Sequence, residues 1–207
     1  MLELLKVFIT GTVFSFIGSI PPGTLNVSVL QLGLENKVNT ALRFALAVSI
    51  VEYPYAWIAV EFEGWISSYP WMVANLQLIT AITVTTLGLF TLWAARKPST
   101  FSVKFNESGF RRGLILSILN PMAIPYWTAA TAYFKAQGWI DLSSKPLIHS
   151  YVFGTSVGAM LLLTLFTFMA AKLAPHIHQN KYLKMAPGFI MLALGIYAFL
   201  RYFLNSR

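Results

Sequence analysis

The sequence predicts an all-α protein embedded in a membrane, with six helices that cross it. Three observations carry that expectation. Of 207 residues, 57% are hydrophobic and only 11% are charged, against about 25% charged in an average soluble domain. The apolar residues gather into six stretches, each near the 20 or so residues that one crossing needs. Finally, the Lys and Arg residues lie mostly between those stretches, as in membrane proteins whose loops set orientation. No stretch is polar enough to form a second unit, so residues 1–207 read as one transmembrane domain.

The first stretch covers roughly residues 4–30, the second roughly 40–60, and the third falls within 64–95. The fourth covers roughly 113–134, the fifth roughly 150–171 and the sixth roughly 187–204. A signal-peptide reading of the first stretch is disfavoured. Lys6 is its only basic residue and Glu3 offsets it. No small-residue cleavage site follows, and the apolar run continues beyond the prolines.

Six crossings put both termini on one side. Lys37, Arg43, Arg96, Lys97, Lys104, Arg111, Arg112, Lys172, Lys181 and Lys184 then share the other side, ten of the fifteen basic residues. That side is expected to be cytoplasmic, which puts both termini outside, in an inner (cell) membrane. The net charge of +8 thereby reads as membrane orientation rather than as affinity for nucleic acid.

Residues 7–34 carry no charge, yet Pro21, Pro22, Gly18 and Gly23 interrupt them. Proline removes a backbone donor and clashes with the preceding turn. In hydrocarbon such a break survives only inside protein or against a water-filled cavity. The fourth stretch has its own interruption at Asn120-Pro121, followed by Pro125. Each half, about 1–95 and about 110–207, would hold three crossings. An odd number inverts the second half relative to the first. Matched breaks in two inverted repeats point to a binding site near the midplane of a transporter. Two unrelated proline kinks are the plainer alternative.

Glu52 is the one acidic residue deep within a crossing. A carboxylate there costs roughly 3 kcal/mol on insertion scales and marks a pathway or a buried structural bond. The functional reading is a proton-coupling or ammonium-binding group; the structural ones are a hydrogen bond to a neighbouring helix, or a shorter segment that leaves Glu52 near the surface. Pro54 loosens the same helix or merely bends it. Asn120, and Asn26 in the matching place, can take carbonyls released at the breaks or donate to a substrate carboxylate. Half-helices that begin just after each break aim positive dipole ends at the midplane. Together with Glu52 they suit a zwitterion. Tyr53, Tyr55, Tyr126, Trp127, Thr128 and Thr131 lie near the breaks as cavity lining or as ordinary packing. Gly154, Ser156 and Gly158 have a spacing that lets helices approach closely.

Other chemistry lacks its residues. There is no cysteine, which excludes disulfides and thiolate metal sites. His176 and His178 form an isolated pair in a basic loop and read as solvated rather than metal-binding, and His149 reads as interfacial. No phosphate-binding Gly-Lys-Ser/Thr loop occurs. No enzyme, cofactor or metal is expected.

Pro22-Gly23-Thr24-Leu25-Asn26, then Gly33-Leu34 and the stretch bearing Glu52, resemble the first half of the LysE/RhtB family of amino-acid exporters. Phe110-Arg111-Arg112-Gly113-Leu114 and Leu119-Asn120-Pro121-Met122-Ala123 resemble that family's fourth-helix pattern. The resemblance covers nearly the whole chain and implies efflux of amino acids or related solutes driven by the proton-motive force. Three positions depart from the family's usual pattern: Thr24 stands for a second proline, Glu52 for an aspartate, and Met122 for a lysine. The last removes a cation from the site region.

The expectation is thus a secondary, proton-coupled exporter of small zwitterions. Its site would be built from Glu52, Pro22, Gly23, Thr24, Asn26, Asn120 and Pro121. Its partners would be the bilayer, a small-molecule substrate and the proton, with association into a homo-oligomer left open. A cation or metal exporter of the same architecture and a non-transporting membrane scaffold stand as alternatives.

Overall fold

The computed structural model describes residues 1–20, 23–63, 108–120 and 123–177, with isolated positions at 65, within 78–89 and within 189–200. Six helices and no strand occur among them: α1 (Leu2–Gly18), α2 (Thr24–Leu34), α3 (Val38–Glu61), α4 (Gly109–Ile118), α5 (Ala123–Ala136) and α6 (Lys145–Ile177). The expected third and sixth crossings fall almost wholly outside the described residues. So do Pro21, Pro22, Pro121, Met122 and His178.

Both expected interruptions are present. The first apolar stretch divides into α1 and α2, and the fourth into α4 and α5. A residue preceding proline is pushed away from helical geometry, which accounts for α1 ending before Pro21 and α4 before Pro121. Two further prolines lie within helices. Pro125 lies in the first turn of α5, where its missing N–H has no intrahelical partner to lose. Pro54 lies within an unbroken α3 of 24 residues. The second stretch otherwise runs where the sequence placed it. The fifth extends by about a turn at each end into α6, 33 residues long.

The connections that follow the two broken helices are alike. At the end of α2, Asn36 has φ 56. Its N–H reaches the Gly33 carbonyl at 2.9 Å, and that of Lys37 reaches Leu32 at 2.9 Å. At the end of α5, Gly138 has φ 67. The N–H of Gly138 bonds Lys135 at 3.0 Å, and that of Trp139 bonds Phe134 at 2.9 Å. Both are Schellman caps, which use a left-handed residue to satisfy the last carbonyls and turn the chain.

Packing is crossed between the halves. The α1 and α2 pair lies along α6, while the α4 and α5 pair lies along α3. Missing side chains make this approach possible. Gly154 and Gly158 of α6 rest on the Phe8 and Thr12 carbonyls of α1, and Gly11 of α1 rests on the Tyr151 carbonyl. The close approach expected at Gly154 and Gly158 is therefore observed. Gly109 and Gly113 of α4 rest in the same way on Thr40 and Phe44 of α3. Without a hydrophobic drive between helices in lipid, such contact is a main source of association. Val7, Ala56, Ala59, Trp127, Phe134, Tyr151 and Val152 form one buried cluster. Val29, Leu32, Phe44, Val48, Leu116 and Leu163 form a second, nearer the connection between α2 and α3.

A side chain at Gly113 would place its Cβ 2.6 Å from the Phe44 carbonyl oxygen. Gly113→Leu is expected to destabilise the purified protein by about 1–3 kcal/mol or more, read as a lower unfolding temperature in detergent. Gly23 differs, because its Cβ would meet nothing within 4 Å and its φ of −130 is ordinary extended backbone. Gly23→Ala should lower the unfolding temperature less than Gly113→Leu, by no more than the roughly 1 kcal/mol that a poorer N-cap residue costs.

Candidate functional site

The two breaks meet. Tyr126, in the first turn of α5, sets its hydroxyl against Gly18 at the end of α1, leaving no room for a side chain there. Helix α3 passes beside the junction and contributes residues one turn apart on a single face. Glu52 Oε1 accepts the indole N–H of Trp127 at 2.5 Å. The Tyr55 hydroxyl donates to the carbonyl of Ile118, the last residue of α4, at 2.6 Å. Residues three apart on a helix share a face, so α3 grips both ends of the second break at once.

The first break is bridged from within. Asn26, in the first turn of α2, donates its side-chain amide to the Ser19 carbonyl at 2.6 Å. That carbonyl lies beyond the end of α1, and proline deprives this region of its usual donors. Asn26 therefore performs the carbonyl-bonding role read from the sequence. Asn120 differs. Its backbone N–H bonds the Ser117 carbonyl at 3.0 Å, but its half-buried side chain makes no hydrogen bond among the described residues. The carbonyl at that break is held by Tyr55 instead.

The other expected site residues divide. Thr24 is buried at the start of α2, with Gly23 as its N-cap. Pro22 and Pro121 lie outside the described residues. Among the aromatic and hydroxyl residues, Trp127 is 1% exposed and Thr128 and Thr131 are buried, while Tyr126 is partly exposed. Trp127 meets Tyr151 of α6 edge to face, with centroids 6.1 Å apart. Tyr53 turns away from the junction, its hydroxyl 2.7 Å from His149 Nδ1. His149 is exposed on α6.

Two features escaped the sequence reading. Trp127 is the partner of Glu52, a pairing across 75 positions that no local pattern reveals. Arg112 was counted with the loop charges, but it is 3% exposed. Its Nη2 donates to Gln31 Oε1 of α2 at 3.1 Å. Its place between Gly109 and Gly113, the residues that press α4 onto α3, is the signal that would have found it. At the opposite end of α3, Lys135 and Glu63 form an exposed ion pair at 2.8 Å, joining α5 to the residues just after α3.

The family described as LysE type translocator matches residues 16–201. The chain belongs to that family. The matched span begins just before the first break and takes in the second break, α3 and α6. No curated protein and no solved structure matches the chain. Family membership makes the chain a membrane translocator, and the helix break followed by Asn26, with the second at Asn120-Pro121, lies within the matched region.

Asn26→Leu removes the donor to Ser19 while keeping bulk. A fully buried carbonyl left without its partner costs about 1–3 kcal/mol, and the carbonyl of half-buried Ser19 should fall toward the lower end. A lower unfolding temperature in detergent is expected, and an unchanged one would show that the break does not depend on this bond. Tyr55→Phe should lose less, about 0.5–1.5 kcal/mol, because the residue keeps its ring and the region around its hydroxyl is not closed off.

Proposed function

We propose that this translocator is a secondary exporter of amino acids or related small zwitterionic solutes, coupled to protons through Glu52. The observation that carries this reading is the position of Glu52. It is bonded to Trp127 beside the place where two interrupted helices touch. Interrupted helices leave polar backbone inside a membrane only where protein or water receives it, and an ionisable group beside them is a pathway residue by default.

The rest of the reading follows from that junction. Helices α2 and α5 both begin at the breaks, so their positive ends face the same level, which favours an anionic group. Glu52 supplies the complementary charge for an ammonium. Pro22, Gly23, Thr24, Asn26, Asn120 and Pro121 would border this site. Six crossings arranged as two inverted repeats suit the crossed packing, in which each broken helix lies along the long helix of the other half. The matching Schellman caps after α2 and α5 support the same relation. Alternating access would then rock one half against the other around the breaks. On this reading the connection between α2 and α3 would be cytoplasmic and both termini outside an inner membrane, as the distribution of basic residues favours.

Proteoliposomes holding the purified chain test the coupling. With an imposed pH gradient and a preloaded mixture of the proteinogenic amino acids, the wild type should drive net efflux against a concentration gradient. Glu52→Gln should insert and fold normally, retain exchange and lose the response to the gradient. Gradient-driven efflux by Glu52→Gln at the wild-type rate would remove Glu52 from the mechanism. Neither efflux nor exchange by the wild type would favour a scaffold.

A further inference from the structure

We infer that Arg112 forms a carboxylate-binding subsite on the inner approach to the breaks, a deepening that rests on the export reading above. The guanidinium is 3% exposed, yet no carboxylate contacts it among the described residues. Its Nη2 bonds the neutral Gln31 Oε1 at 3.1 Å. Its Nη1 is buried and meets no acceptor among the described residues. The acidic residue nearest in the network, Glu35, is occupied. Its Oε1 takes the Gln31 amide at 3.1 Å, and its Oε2 takes Lys37 Nζ at 2.8 Å. Glu35 and Lys37 are both exposed, so their pair satisfies itself at the surface while Arg112 stays behind it.

A buried charge normally has a charged or fully hydrogen-bonded partner, and a buried donor without one calls for an explanation. The guanidinium is a planar fork that matches a carboxylate through two parallel N–H bonds. Here one arm is held by a neutral amide and the other is free. That arrangement fixes the orientation of the fork without cancelling its charge, as a site for a transient carboxylate requires. Lysine would offer a point charge without the second arm.

The location fits a path. Gln31 belongs to α2, which starts at the first break. Arg112 belongs to α4, which ends at the second. Gly109 and Gly113 flank Arg112 and hold α4 against the α3 backbone, so the guanidinium is directed by a rigid contact rather than by a loop. A substrate bearing a carboxylate would reach Arg112 before it reaches the junction of the breaks. The same chemistry predicts discrimination: an amine without a carboxylate has nothing to offer the free arm.

The test uses the full chain in detergent, with the twenty proteinogenic amino acids as a mixture and their carboxamides as the control mixture. The readout is the ligand-induced rise in unfolding temperature, titrated for apparent affinity. The wild type is expected to respond to the amino acids and not to the amides. Arg112→Gln should lose the response, and Arg112→Lys should weaken apparent affinity about tenfold or more. Glu107→Gln, which removes the acidic residue five positions earlier in the sequence, should respond as the wild type does. If Arg112→Gln does not fold, Arg112→Lys decides: wild-type affinity in it overturns the subsite. Equal loss in Glu107→Gln and Arg112→Lys would make Arg112 half of a structural ion pair and also overturn it. A response to amides equal to that for acids refutes carboxylate recognition. No wild-type response to either mixture, together with no efflux from proteoliposomes, refutes amino-acid export itself.

Discussion

Everything in this structure depends on how two interrupted helices keep their carbonyls partnered inside a membrane. Hydrocarbon offers no hydrogen bond, and each unsatisfied backbone group there costs several kcal/mol. The chain meets this constraint differently at its two breaks. At the first, Asn26 reaches back from α2 to Ser19, so the broken helix repairs itself. At the second, Tyr55 of α3 reaches the end of α4, so the repair comes from another helix. The second solution ties the geometry of that break to α3, and α3 also carries Glu52. Glu52 and the bond that holds the second break therefore share one helix.

Close backbone approach makes these long reaches possible. Gly109 and Gly113 let α4 lie on Thr40 and Phe44, and α4 then runs alongside α3 until Ile118 meets Tyr55. Gly154 and Gly158 do the same for α6 on α1. A larger residue at any of these places would separate the helices, and a hydroxyl that spans one hydrogen bond would no longer reach. Small residues thus set the distance at which the polar bonds work. Packing and polar satisfaction depend on each other here, and neither can be assigned the fold alone.

Much of this was legible in the sequence, because its signals were local. Pro22 and Pro121 marked where helices stop, since proline acts on its own turn. Glu52 was conspicuous because one carboxylate stood among apolar neighbours. The spacing of Gly154 and Gly158 announced a close contact, though not with α1. What escaped was tertiary. Nothing near position 52 names Trp127. Asn120 and Asn26 occupy matching places, yet among the described residues only the Asn26 side chain bonds a carbonyl, while Tyr55 bonds the one at the second break. Arg112 sits in a basic run that reads as a loop, and its burial follows only once Gly109 and Gly113 are seen to press that turn into α3. Pro125 adds no interruption, since a proline is tolerated in a first turn.

Arg112 and Glu52 lie at different levels along one contact. Arg112 neighbours Gly113, which rests on Phe44, while Glu52 is eight residues further along α3. Eight residues of helix span roughly 12 Å. The charges are too far apart to form a contact pair, and each bonds a neutral group, Gln31 for one and Trp127 for the other. They are also too far apart for the carboxylate and ammonium of one small amino acid to engage both together. On the proposed reading, a substrate meets them in succession. The carboxylate engages Arg112 on the inner side, then moves toward the helix ends at the breaks as the ammonium comes within reach of Glu52. A zwitterion passing between opposite charges in this order never leaves both of its own charges uncompensated, and that continuity is what a path through low-dielectric surroundings requires.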